Sequence, residues 1–228
     1  MDMRRTPRRH LLIALAVAVV TVGAKGQDAA DRSIEQFLAR TEGQPSYRAA
    51  RKLVAENGSR RGWLDAVTTY SPATGLAYEV TGEGGSGYIR NKVLRAVLEG
   101  EREIIARGEA ARSSLEPSNY TFLANGVDAD GLANVLISPR RKERVLLSGT
   151  MFLRAAEGDL VRLQGRLAKN PSFLVKNVDV VRKYERIDGV IVPVSLESTA
   201  QLRFLGEATL RMTYSYSEIE GRPIKSLH

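Results

Sequence analysis

Cysteine is absent from all 228 residues, so the chain can form no disulfide and has no thiol nucleophile or thiolate metal ligand. Histidine is nearly absent, with His10 near the start and His228 as the last residue. Ser-His-Asp chemistry and His/Cys zinc sites therefore have almost nothing to draw on. No apolar run is long. The longest, residues 11–22, falls well short of the about 20 residues a membrane-spanning helix needs. Charge of one sign is also scarce. The formal net charge is +8, but residues 1–26 hold five basic residues and one acidic residue. Without them, 29 basic and 25 acidic residues leave a net of +4 spread along the chain. A dedicated nucleic-acid binder would concentrate Lys and Arg on one element, so no nucleic-acid partner is expected. Mild positive charge is compatible with weak attraction to anionic lipid headgroups.

The N-terminus has the pattern of an export signal. Arg4, Arg5, Arg8 and Arg9 form a basic segment, the apolar run follows, and Ala24-Lys25-Gly26 places small residues where a signal peptidase checks them. Cleavage is expected before Gln27, which makes 1–26 a leader and the mature chain periplasmic, not an integral membrane protein. Arg8-Arg9-His10-Leu11-Leu12 also fits a twin-arginine motif, so the export route stays open. With no cysteine after the cut, the leader is not a lipoprotein signal.

Residues 31–40 read as a short helix, because Ile34, Phe37 and Leu38 form one apolar stripe. Residues 27–44 are taken as this helix and a linker, and 45–228 as a single domain. Tyr47 to Glu56 has helix-forming composition, but Asn57-Gly58 is a strong hairpin signal, so a strand pair is expected. A third strand should span 76–81. Residues 82–87 read as a flexible glycine-rich loop, with Ser86 as the N-cap of a helix over 88–107. In that helix Ile89, Val93 and Val97 recur every fourth residue, with Leu94 and Leu98 beside them and charges opposite. Seven strands should follow, over 120–127, 132–138, 145–153, 160–167, 173–184, 190–199 and 204–216. Ala208, Leu210, Met212, Tyr214 and Tyr216 alternate with polar residues in the last, the period of a strand with one buried face. Tight turns between strands impose antiparallel pairing. The expected fold class is therefore mostly β (α+β): a curved antiparallel sheet, an incomplete barrel, with the long helix covering its concave face.

Few motifs carry chemistry. Gly82-x-Gly84-x-x-Gly87 matches the dinucleotide fingerprint, but no βαβ repeat follows, so no nucleotide cofactor is expected. Carboxylate pairs such as Glu101/Glu103 and Asp179/Glu185 are unremarkable where 25 acidic residues follow residue 26, and no enzyme is expected. Arg140, Arg141, Lys142 and Arg144 form a basic turn, either a solvated turn or a contact for lipid headgroups or a partner.

The order of elements resembles the LolA-like family of periplasmic lipoprotein-sorting proteins, in particular an uncharacterised branch of it. The residues that carry the likeness are Gly85-Ser86-Gly87-Tyr88-Ile89-Arg90-Asn91, Pro117-Ser118-Asn119-Tyr120, Gly149-Thr150-Met151-Phe152-Leu153, Ala168-Lys169-Asn170-Pro171-Ser172-Phe173 and Gly206-Glu207-Ala208. The resemblance implies a half-barrel capped by helices and transient binding of lipid or lipoprotein acyl chains, as in outer-membrane biogenesis. The alternative it leaves is a non-catalytic envelope interaction or stress-sensor module with protein partners. The expected lining of an apolar cleft is Ile89, Val93 and Val97 on the helix, with Phe122, Phe152 and Leu163 from the strands.

Overall fold

The computed structural model describes residues 20–40, 43–204 and 206–224. The basic segment and most of the apolar run of the expected leader lie outside these residues. Helix α1 spans Val20–Leu38 and so continues through the Gly26–Gln27 bond where cleavage is expected. Strands β1 (Tyr47–Asn57), β2 (Arg60–Ser71) and β3 (Gly75–Gly85) form a first meander. A helical segment follows in three parts: α2 (Gly87–Ile89), a π-helical turn (Arg90–Leu94) and α3 (Arg95–Ala106). After a 3-10 turn come β4 (Tyr120–Val127), β5 (Leu132–Pro139), β6 (Leu147–Arg154) and β7 (Asp159–Leu167). Strands β8 (Val175–Ile187), β9 (Val190–Leu202) and β10 (Gly206–Ile219) complete the second meander, and the short β11 (Arg222–Pro223) pairs with β10.

All eleven strands belong to one antiparallel sheet, ten of them in the order β3-β2-β1-β10-β9-β8-β7-β6-β5-β4 with β11 off this path beside β10. Hairpins fix each meander internally. Among the described residues the one strand pairing between the two meanders is β1 with β10, from Tyr47 opposite Ile219 to Asn57 opposite Ala208. The sheet curves without closing, so β3 and β4 remain edges.

The concave face buries three apolar clusters. Leu53, Ala55, Leu64, Ala66 and Met212 lie under Ile89, Leu94 and Leu98 of the α2–α3 segment. This is the cover expected from the stripe. At the other end Tyr120, Val135, Ile137, Met151, Leu153 and Leu163 lie under Ala30, Ile34 and Phe37 of α1. The segment 27–44, read from sequence as a separate helix and linker, thus supplies a second cover on the same sheet. Ala30 is fully buried, and the Gln27 amide donates to the Ala124 carbonyl at 3.0 Å. Between the covers, Tyr47, Ala49, Leu76, Val192 and Ile219 form the third cluster.

Residues 82–85 differ from expectation. They are not a flexible loop but the end of β3, paired with β2 from Gly62 to Asp65. The glycines are needed because the Trp63 indole lies across them. A Cβ on Gly84 would sit 2.6 Å from Trp63 Nε1, and one on Gly82 would be 3.3 Å from Trp63 Cζ3. Ser86 does occupy the N-cap position, but its side chain makes no capping bond; its carbonyl accepts the Arg90 N–H at 3.0 Å.

Candidate functional site

The helices cover the middle of the concave face only in part. The α2–α3 segment packs mainly on β1, β2 and β3, and α1 on β4 to β7; over β8 to β10 the cover is thinner, although Met212 of β10 is buried beneath the α2–α3 segment. On the inward phase of those three strands sit Val178, Val180, Arg182, Leu196, Ser198, Ala200, Leu210, Met212 and Tyr214, set by the cross-strand register. Most are half-buried. The result is a trough with apolar walls, flanked on one side by Val93 and Val97, which pack in the same cluster as Leu196, Leu210 and Tyr214.

The trough has a charged floor at one end. Arg51 on β1 points inward between Ala49 and Leu53 and is 2% exposed. Its guanidinium donates to Glu101 on α3 at 2.5 and 3.1 Å, and to the Tyr47 hydroxyl at 2.5 Å. It also lies 4.7 Å from the centroid of the Tyr214 ring, a cation–π geometry. Tyr47 stacks on Tyr70 at 5.7 Å and meets Tyr216 edge-on at 5.6 Å. Burial pushes the Tyr47 hydroxyl up to about 12, against the opposing pull of Arg51. Tyr214 and Tyr216 are raised as well, again by burial first. Arg182 on β8 stands opposite Leu196 and Leu163, and its closest polar companion is Tyr184.

A cavity lies elsewhere, where two strands part. Pairing of β7 with β8 stops at Arg162 opposite Lys183, although β7 runs on to Asp159 and β8 to Ile187. The gap holds a cavity of about 890 Å³ lined by Leu160, Tyr184 and Ile191 and by charged residues of both strands. Arg186 spans it to Asp159, donating at 2.7 and 2.5 Å, and Arg40 after α1 joins the same carboxylate. Burial raises the Asp159 carboxyl, but the bonds from Arg186 and Arg40 outweigh it and hold it below its ordinary range.

Of the residues expected to line a cleft, the structure places Val93 and Val97 beside the trough. Ile89 and Leu163 are buried in the two flanking clusters, and Phe122 is half-buried against the α1 cluster. Phe152 lies on the opposite face. It pairs with Asn134 and Arg162, its ring carries the Arg162 guanidinium at 3.9 Å, and its neighbours Met151 and Leu153 take the inward positions. The basic turn is partly neutralised: Arg141 and Arg112 both donate to Glu143, at 2.6 and 3.0 Å, and Arg140 donates to the Pro117 carbonyl at 2.6 Å. Lys142 and Arg144 join Lys169 around a shallow pocket of about 310 Å³. Three of the carboxylates considered as acid–base candidates are held by arginines, in the pairs Glu101–Arg51, Glu103–Arg107 and Asp179–Arg166. Among the described residues no cluster of His, Cys, Asp or Glu could hold a metal ion, and no helix is long and apolar enough to cross a membrane.

Arg51, Arg182, Tyr184 and Tyr214 escaped the sequence reading as a group. Their signal is phase: each arginine occupies a strand position whose neighbours at i±2 are apolar or aromatic and face inward.

These features define an open antiparallel half-barrel with helices on its concave face and a partly covered central trough. A half-barrel capped by helices is what the sequence resemblance implies. No family model and no curated protein matches the sequence. Among solved structures, the chain is similar to a DUF1329 family protein from Desulfovibrio piger, with 12% identity over 85% of this chain and 91% of that one, TM-score 0.39. It is similar to a LolA superfamily protein from Nitrosomonas europaea, with 10% identity over 87% and 94%, TM-score 0.38. A chain of the Pseudomonas aeruginosa MucA/MucB complex aligns at 12% identity over 87% and 100%, TM-score 0.24.

Proposed function

We propose that the protein is a non-catalytic periplasmic carrier that holds lipid or lipoprotein acyl chains in the central trough. The observation that carries this reading is that the apolar wall residues Leu196, Leu210, Val93 and Val97 are only half-buried, on a face whose two flanks are roofed by helices. Burial of an acyl chain there gains about 0.8 kcal/mol per CH₂ removed from water. The leader expected at 1–26 would deliver the chain to the compartment where such cargo moves. Native mass spectrometry of the protein recovered from periplasm should show lipid adducts. Val93→Glu should remove them while the circular dichroism spectrum and melting stay close to wild type. Leu94→Glu, at a fully buried position, should unfold the protein instead. Absence of adducts from the wild type, together with no uptake of added lipid, would remove the carrier reading.

A second reading, an envelope interaction or sensor module, rests on the open edge strand β4. Leu123 there is 62% exposed and sits opposite Leu136 of β5, itself 39% exposed. Such an edge can accept another chain as an added strand. Crosslinking from Leu123 in whole cells would capture an envelope protein if this surface is used.

A further inference from the structure

The interior of the trough is unbalanced in charge. Arg51 and Arg182 both enter it, and among the described residues Glu101 is the one carboxylate that reaches them. Glu101 is engaged by Arg51 through two hydrogen bonds. Arg182 forms no ion pair among the described residues, and the groups around it are Tyr184, Tyr214 and the more distant Glu101. A buried charge without a counter-charge is strongly unfavourable unless something compensates it. Its cross-strand neighbours are Leu196 and Leu163, which offer no hydrogen bonds from their side chains. Arg182 is half-buried on the trough face, and its side chain hydrogen-bonds to Tyr184, a neutral partner that supplies no counter-charge. The flanking positions Val180 and Leu196 are apolar and line the same face.

We infer that Arg182 is the binding point for the anionic head of an amphiphile, a carboxylate or phosphate, whose alkyl chain lies along the apolar wall. Tyr184 and Tyr214 border the head position and offer hydroxyl donors, and the guanidinium fork suits a two-oxygen anion. This rests on the carrier reading and adds to it a polarity: head at Arg182, tail toward Leu196, Leu210 and Val97. It also separates cargo by charge, because an uncharged chain of equal length would leave the guanidinium uncompensated.

The test is calorimetric titration with three ligands of one chain length: dodecanoate, dodecyl phosphate and dodecanol. The wild type should bind at least one of the two anions about tenfold or more tighter than dodecanol, the strength of a charge-assisted hydrogen bond. Which anion is preferred identifies the head as carboxylate or phosphate. Arg182→Met should bind all three alike, at the dodecanol level, and Arg182→Lys should keep most of the preference. A melting temperature for Arg182→Met equal to or above wild type shows that the loss is not unfolding. Equal binding of all three by the wild type, or an anion preference that survives in Arg182→Met, overturns the head site and leaves the carrier reading standing. Failure of the wild type to bind any of the three overturns the carrier reading and the head site with it.

Discussion

Arg51 shows how a charge is kept inside this sheet. Its guanidinium is held by Glu101, capped by the Tyr47 hydroxyl and covered by the Tyr214 ring, so much of its solvation shell is replaced, while its Nε–H stays buried without a hydrogen-bond partner. Glu101 is a third exposed, which limits what the pair adds to stability, but removing its charge strands Arg51 in the interior. Glu101→Gln should therefore destabilise the fold by about 2 kcal/mol, read as a lowered urea midpoint with an unchanged slope. The tyrosines beside it make the same cluster sensitive to alkali. Tyr47 titrates at about 12 in the fold against 10.0 as its ordinary value. A raised folded value means that the folded state keeps the proton longer, so the contribution is complete below pH about 10 and is lost as pH rises toward 12. Tyr214 and Tyr216 are shifted in the same direction. Stability should fall through that window, and Tyr47→Phe should make the fall shallower. An unchanged slope in this variant would show that Tyr47 is not a source of the linkage.

At the scale of elements, α1 depends on the turn between β6 and β7. Gly158 in that turn has φ +66°, and a Cβ there would lie 2.8 Å from Gln36 Cβ, 2.9 Å from the Ser33 carbonyl and 3.0 Å from the Phe37 nitrogen. Two of these are helix backbone and cannot swing aside. Gly158→Ala should cost about 2–3 kcal/mol, from the left-handed backbone and the overlap together. Hydrogen exchange should show α1 amides losing protection before those of β1 to β3. Much of this layer was legible in sequence. Asn57-Gly58 and Asp188-Gly189 mark hairpins, in which Gly58, Asp188 and Gly189 take positive φ, and the apolar stripe of 89–98 fixes the buried side of its helix. The seven later strands follow from alternation and turns. What was hidden needed partners distant in sequence. Gly82 and Gly84 look like a loop until Trp63 is laid over them, and Phe152 reads as cleft lining until β6 is registered against β7 with its irregularity at Phe152/Leu153. The second roof was visible as the stripe Ile34, Phe37 and Leu38, but nothing local told which sheet face it would meet. The trough itself is a gap between two roofs, and no local pattern encodes a gap.

For the whole molecule, the consequence of the topology is that one ladder carries the continuity of the sheet. Each meander is held by its own hairpins, and among the described residues β1 against β10 is the one strand pairing between the α2–α3 half and the α1 half. That ladder is long, and Ala49, Leu53, Ala55 and Met212 bury apolar surface along it, so the two halves should unfold together. In the wild type, Trp63 fluorescence, which reports on β2, and far-ultraviolet circular dichroism, which reports on the whole sheet, should trace one coincident urea transition. Thr213 sits in the middle of β10, opposite Lys52 on one side and Ser195 on the other. Thr213→Pro removes its N–H from the ladder and fixes a backbone angle the central strand does not use. It should lower stability by about 3 kcal/mol or more and pull the two signals apart, because the halves lose the strand that couples them. Two separate transitions already present in the wild type would mean that the meanders are independent folding units. The trough would then be a surface between two bodies instead of the inner wall of one.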